Sequence, residues 1–248
     1  MRVPFIPNTV ILLFGVLAAV YLLALRSGYV VPAYSPLPRI DLATQGGWFV
    51  DWRLAGLAQD RELCAKVMTP PHAAVSLLAP QSPDARGCGW LNAVSLEEAE
   101  GVRLGVSPVS CQVAAALTLW LRDVAQPEAE RLLGSRIASI ATMGTYSCRN
   151  IVGGAFQRYG RLLREVDPGL TLSEHAKANA IDIGGFTLAN GETVDVLRDW
   201  GSGGGKGEFL RRLHAGACRY FRVTLGPEAN REHRNHFHFD RGFLRACR

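Results

Sequence analysis

The run from Ser173 to Asp182 sets His175 and Asp182 seven positions apart, just ahead of an apolar stretch interrupted by glycine. A second run, Glu232 to Asp240, gathers His233, His236 and His238 into six positions, three of the chain's six histidines. Two imidazoles and one carboxylate leave the fourth tetrahedral position of a zinc ion open, which a catalytic site requires and a structural one does not. Water in that position is acidified, and a nearby carboxylate that is not a ligand can accept its proton and pass it to a leaving amine. Glu232, four residues before His236, is the candidate for that role. On a strand over 236–239, His236 and His238 share one face and Phe237 and Phe239 the other, so the rings can bury while the imidazoles line a cleft. By the same parity Asp182 projects away from Ile181 and Ile183, and His175, across a turn, completes a His, Asp, His set. His175 alone would read as an ordinary cap or surface residue; it is the joint spacing that points to metal.

Other residue clusters carry less. His233 reads as a bystander, and His72 and His214 as uninvolved. The run Gly201 to Gly207 lacks the spacing of a phosphate-binding loop, with Gly207 where the hydroxyl residue belongs, so it reads as a flexible rim; Trp200 before it reads as core.

S-x-H-x-x-A-x-A-x-D at Ser173 to Asp182, with E-x-x-x-H-x-H at Glu232 to His238, is similar to the zinc site of the LAS metallopeptidases, the D-Ala-D-Ala carboxypeptidase and hedgehog-like group. More closely, Tyr146-Ser147-Cys148-Arg149, Ser173-Glu174-His175-Ala176, Ala180-Ile181-Asp182-Ile183 and His236-Phe237-His238 resemble the bacterial extensin-like C-terminal domain family, over roughly Cys111 to Cys247 with a weaker N-terminal part. The resemblance implies an α+β domain in which a small mixed or antiparallel sheet has helices packed on one side. It implies Zn2+ held by His175, Asp182 and His238, Glu232 as general base, His236 donating to the oxyanion, and Arg149 against a substrate carbonyl or carboxylate. One position departs from the pattern: the usual glycine three residues after the histidine is Ala178, which costs little unless φ is positive there.

The elements that must position these groups follow from periodicity. Apolar residues at helical spacing from Leu54 to Met68 predict a helix ended by Pro70 and Pro71. Pro80 to Gly89 reads as a loop stapled by Cys88. Ser107-Pro108 predicts the start of a helix through Val124, with Val113, Ala116, Leu117, Trp120 and Leu121 inward, and Pro127 the start of a second, Glu128 to Leu133. Arg136 to Met143 reads as a strand that delivers Arg149 beyond its end. Ala180 to Ile183 is a second strand, broken by Gly184-Gly185, and 186–188 with 192–196 form a hairpin through Ala189-Asn190-Gly191. Gly207 to Phe221 predicts a helix that packs Cys218 inward, followed by strands at 222–225 and 236–239.

The N-terminus and the cysteines set location. Val10 to Leu25 runs sixteen residues without a charge, about 24 Å of helix against a hydrocarbon core of about 30 Å. The candidate cleavage site, Val31-Pro32-Ala33, is a poor one that lies far past that run and beyond Arg26, so an uncleaved signal anchor is the better reading. The expected organisation is a cytoplasmic stub over 1–9, a single-pass inner-membrane anchor over 10–26, an extended linker over 27–45 carrying Pro32, Pro36 and Pro38, and a zinc domain over 46–248. Arg2 and Arg26 balance, so orientation rests on Cys64, Cys88, Cys111, Cys148, Cys218 and Cys247, an even number without a CxxC pair, which reads as disulfides in an oxidising periplasm. Their pairing is left open among fifteen arrangements. A formal charge of +5 and pI near 9.0 suit the carboxylates of a cell-wall polymer and are too mild to argue for nucleic acid. The expected activity is zinc-dependent hydrolysis of peptidoglycan peptides; the alternatives are a wall-binding or structural protein that keeps the zinc, and a metal-free disulfide scaffold.

Overall fold

The computed structural model describes residues 8–26, 39–44, 49–151 and 171–248. Trp48, the Val31-Pro32-Ala33 site and most of the expected linker lie outside them. The N-terminal helix α1 spans Asn8–Arg26 and its apolar side chains are exposed, Leu12 at 70% and Phe14 at 68%. Its 19 residues rise about 28 Å. Among the described residues no helix is long and apolar enough to cross a membrane, so the expected single-pass span over 10–26 is not supported.

Nine strands form one mixed sheet. They are β1 (Ala73–Leu77), β2 (Ala93–Ala99), β3 (Val102–Ser110), β4 (Ile137–Gly144), β5 (Ala180–Leu188), β6 (Thr193–Asp195), β7 (Val223–Leu225), β8 (Phe237–Asp240) and β9 (Ala246–Cys247). Their order is β1-β2-β3-β4-β5-β8-β7-β9, with β6 paired to β5. The pairs β3/β4 and β7/β9 are parallel and the rest antiparallel. The expected α+β mixture is present, but the sheet is not small. The four strands with no counterpart in the sequence reading, β1, β2, β3 and β9, extend it.

Helix α4 (Cys111–Trp120) runs through a π-helical turn (Leu121–Ala125) into α5 (Gln126–Leu133). Trp120 packs edge-on against Phe239 at 5.5 Å between ring centroids and lies 6.4 Å from Phe186, so this helix covers the face of β5 and β8 that carries the aromatic residues. Asp182 and His238, which alternate with the buried Ile181, Ile183 and Phe239, are directed to the opposite face. Phe186, of the same parity as Asp182, reaches the helix because the register shifts between Ile183 and Gly185.

Several expectations shift at their boundaries. The helix over 54–68 is two helices, α2 (Val50–Ala55) and α3 (Arg61–Val67), because the Asp60 carboxylate accepts from Leu63 N–H at 2.8 Å and caps a new start. Pro108 does not open α4. It lies inside β3, and Ser110 is the N-cap, its hydroxyl accepting from Val113 N–H. Gly184-Gly185 does not break its strand. β5 runs through both, since a Cβ on Gly185 would sit 2.6 Å from the Val194 carbonyl oxygen on β6, an approach only glycine permits. The linker does not extend to 45: Ile40 and Leu42, 4% and 2% exposed, belong to the core. The predicted helix over 207–221 is α7, Gly205–Ala217, after the short α6, Val196–Asp199.

Three disulfides form: Cys64–Cys111 joins α3 to α4, Cys88–Cys148 ties the loop before β2 to the segment after β4, and Cys218–Cys247 joins the end of α7 to β9. A buried charge cluster closes the other side. The Asp51 carboxylate of α2 accepts from Arg222 at 2.9 Å and Arg241 at 3.0 Å. Burial alone would raise the Asp51 pKa, but Arg241 and Arg222 outweigh it and hold it low.

Candidate metal centre

β5 and β8 run antiparallel with Asp182 directly opposite His238, which brings their Cβ atoms within about 5 Å by strand geometry alone. His175 arrives from a 3-10 turn, Glu174–Lys177, whose N-cap is Ser173. The turn leaves through Ala178 in the left-handed region, φ 54°. A positive φ is the condition under which alanine rather than glycine strains the backbone. The expected Asp182–His238–His175 cluster is therefore assembled by one strand register and one capped turn.

The ligand atoms converge. His175 Nε2 lies 3.1 Å from His238 Nδ1, Asp182 Oδ1 lies 2.9 Å from His238 Nδ1, and Asp182 Oδ2 lies 3.2 Å from His175 Nε2. All three donors fall within 4.8 Å of one another. The remote nitrogens fix the tautomers. His175 Nδ1–H donates to the Thr145 carbonyl at 3.3 Å, which leaves Nε2 with a bare lone pair. His238 Nε2–H donates to the Asp240 carboxylate at 3.0 Å, which leaves Nδ1 bare. Two lone pairs and a carboxylate thus point at one another inside the protein, where burial leaves His175 2% and His238 8% exposed. A proton or a metal ion between them would satisfy all three groups.

A proton can play that part in the metal-free protein. Burial lowers the His238 pKa, but the Asp182 and Asp240 carboxylates more than compensate and raise it to about 9. Burial raises that of Asp182, and hydrogen bonds from His175 and His238 overturn this and pull it far below the usual carboxylate range. The donor set, two imidazole nitrogens with one carboxylate, is of the type that can hold a metal ion.

His236 stands at the rim, its Nε2 3.7 Å from Asp182 Oδ1 and its Nδ1 2.9 Å from the Asn235 side-chain oxygen. Burial pushes its pKa down. His233, read from sequence as a bystander, packs against both neighbours, with ring centroids 5.2 Å from His236 and 5.6 Å from His238. Burial and those two rings push its pKa down to about 4. Arg149 is exposed and lines, with His233 and His238, a cavity of about 310 Å³ whose other walls include Leu172, Leu225 and Phe243. Glu232 is not brought to the ligands: it lies exposed on the 3-10 turn Arg231–His233 and hydrogen-bonds to none of them. His72 pairs with Glu100 at 2.7 Å and His214 packs against Trp200, both away from this cluster. A second set of ligand types, Asp84, Cys88 and Cys148, has its sulfurs bonded to each other and offers no site.

Sequence reasoning missed Asp240 and Thr145. Asp240 was open to the parity argument, since a residue two beyond His238 on a strand shares its face; Thr145 acts through its carbonyl, which side-chain identity does not reveal.

An α+β domain with three disulfides and a convergent His, Asp, His set defines the class. The family described as extensin-like protein C-terminus matches residues 62–248, and the chain belongs to that family. No curated protein and no solved structure matches it.

Proposed function

We propose that this chain is a zinc-dependent peptidase of LAS type that hydrolyses peptide bonds in peptidoglycan peptides, held at the inner membrane by α1 with its disulfide-bonded domain in the periplasm. One observation carries the reading: the lone pairs of His175 Nε2 and His238 Nδ1 meet the Asp182 carboxylate at 2.9 to 3.2 Å with both remote nitrogens already committed to Thr145 and Asp240. His175, Asp182 and His238 would hold the ion. When bound, zinc supplies Lewis-acid polarisation of a carbonyl and acidification of water.

The chain's own groups divide the remaining work. Thr145 and Asp240 keep the two imidazoles in the ligating tautomer. His236 presents Nε2–H toward the developing oxyanion once the Asn235 amide is turned so that its nitrogen donates to Nδ1, an orientation interchangeable with the one drawn. Glu232 receives a proton at its carboxylate and returns it to the leaving amine, from a turn at the open edge of the site. Arg149 meets a substrate carboxylate at the mouth of the adjoining cavity. The exposed apolar flank of α1 supports the membrane assignment, and the three disulfides support an oxidising compartment.

A second reading, a wall-binding zinc protein without turnover, is favoured by the exposure of Glu232 and its lack of a hydrogen bond to the ligand set. Full-length protein and its Glu232→Gln variant, both zinc-loaded and incubated with muropeptides, separate the two. The peptidase reading expects new peptide products from the wild type and at least a hundredfold fewer from the variant. Bound zinc with no products from either protein leaves the binder.

A further inference from the structure

The cavity of about 310 Å³ that adjoins the candidate metal centre has apolar walls, among them Ile151, Leu172, Leu225, Phe243, Leu244 and Ala246. Leu172 is buried, whereas Ile151, Phe243 and Leu244 are exposed. Large apolar side chains left open to water beside a cluster of polar ones mark a ligand pocket rather than core.

The walls are held in place without a ligand. β9 pairs with β7 in parallel, Ala246 opposite Val223, and the Cys218–Cys247 disulfide ties β9 to the end of α7. The turn ahead of Phe243 is fixed on both sides of Gly242: its N–H donates to Asp240 Oδ1 at 2.8 Å, and its carbonyl accepts from Arg222 at 3.3 Å. Filling a preformed cavity loses little ordering entropy.

The charged groups around it are committed, with one exception. Glu174 is paired with Lys177 at 3.2 Å and accepts from the Asn179 amide at 2.6 Å. Asp240 accepts from His238 at 3.0 Å as well as from Gly242, and His233 Nδ1 is hydrogen-bonded to the Asn230 side-chain oxygen at 2.6 Å. Arg149, exposed at the mouth, makes no ion pair among the described residues. A guanidinium fork in that position suits a carboxylate.

Size decides what accompanies that carboxylate. A methyl group is about as large as a water molecule, ~30 Å³, so an alanine side chain would fill about a tenth of the space and leave the apolar walls wet. A leucine or phenylalanine side chain lays several more carbons on those walls, each worth about fourfold in affinity when buried. We infer that this cavity receives the C-terminal residue of a peptide, a residue with a large apolar side chain whose free carboxylate pairs with Arg149. The inference rests on the peptidase reading and narrows it: the protein acts at a chain end, and alanine is not the residue it prefers there. Such an end is offered by a wall peptide closed with a bulky D-residue and by an ordinary polypeptide of L-residues, and configuration separates the two.

The test uses full-length protein in lipid nanodiscs, its histidine rings labelled with carbon-13, kept in chelator and followed by NMR. It is titrated with N-acetylated alanine, leucine and phenylalanine, each as the D-acid, the L-acid and the corresponding amides. The expected result is a saturable shift of the His233 ring signal, with leucine or phenylalanine binding at least tenfold more tightly than alanine and each amide at least tenfold more weakly than its acid. A preference for the D-acids assigns the pocket to wall peptides and one for the L-acids to polypeptide ends; both support it. Arg149→Gln should bring acid and amide level, and Phe243→Ala should weaken leucine severalfold while leaving alanine unchanged. Both side chains are exposed, so neither change endangers the fold. No saturable shift, alanine bound as tightly as leucine and phenylalanine, or amides bound as tightly as acids would each overturn the assignment. The readout uses neither metal nor turnover, so a failed titration leaves the metal centre and hydrolysis untouched, and a failed peptidase assay leaves the pocket standing as a binding site.

Discussion

Chelated protein should lose stability as the pH rises from 6.5 to 9, and the loss should belong to His238. Its folded pKa, about 9, lies above the ordinary 6.5. A group raised in this way contributes stability that is fully present below the unfolded pKa and disappears as pH climbs through the folded one. At about 1.4 kcal/mol for each tenfold change, a rise from 6.5 to about 9 is worth on the order of 3 kcal/mol, a large part of a domain's total stability. The neighbours do not mask it. His233 and His236 are lowered, so their effect falls on the acid side, as pH drops below 6.5, and Asp182 is lowered and acts at more acid pH still. Tyr220, raised well above the usual phenol range by burial and the Asp123 carboxylate, acts above the window. Urea unfolding followed by tryptophan fluorescence, disulfides intact and chelator present, at several pH values from 6.5 to 9, reads the slope directly. Saturating zinc should remove or reverse the decline, because the ion takes the place of the proton and binds the deprotonated imidazole. A stability that stays level or rises over this interval refutes the reasoning, as does a decline that persists in His238→Gln.

Other expectations follow from particular contacts. Arg241→Ala removes one of the two arginines hydrogen-bonded to the buried Asp51 carboxylate, leaving Arg222 and the more distant Arg245, and also the donors to the Tyr220 and Asp51 carbonyls; urea unfolding should show a loss of about 3 kcal/mol. Ala178→Gly relieves a left-handed alanine worth about 1–2 kcal/mol, but gives up a buried methyl worth about 0.8 kcal/mol and adds unfolded-state entropy. Its net effect should stay within about 0.5 kcal/mol by the same assay, and a loss above about 2 kcal/mol would show that the left-handed turn is not strained. Replacing both Cys64 and Cys111 opens a bridge with a separation of 47 residues, for which loop entropy predicts a loss of about 4 kcal/mol; an unchanged urea midpoint would mean that the bridge does not form.

Much of the site was legible because it rests on periodicity. The alternation that puts Phe237 and Phe239 into the core also puts His238 on Asp182's face, and the antiparallel register of β5 and β8 then makes the two directly opposite. The glycine position in the pattern flagged Ala178, one of two non-glycine residues in the left-handed region among the described residues, the other being Glu100. Elements failed where local signals were ambiguous. Pro108 reads as a helix opener but sits in β3, because the capping hydroxyl that starts α4 is Ser110 two positions on. Residues 73–77 and 93–99 carry no clean alternation, and their burial patterns show why: β1 is largely exposed, while β2 buries neighbouring residues Ala93 and Val94. The pairing of the cysteines was invisible, since it depends on which loops the nine-stranded sheet brings together. Asp51, Arg222 and Arg241 meet only through contacts more than a hundred and fifty residues apart for two of the three pairs.

The account turns on whether a divalent ion stands among His175, Asp182 and His238. Elemental analysis of full-length protein, desalted after exposure to zinc, tests it with least inference when run beside Asp182→Asn. One tightly held zinc per chain, lost in the variant, is the predicted result. A wild-type chain that emerges without zinc, or an Asp182→Asn chain that keeps it undiminished, contradicts the metal centre and the peptidase built on it.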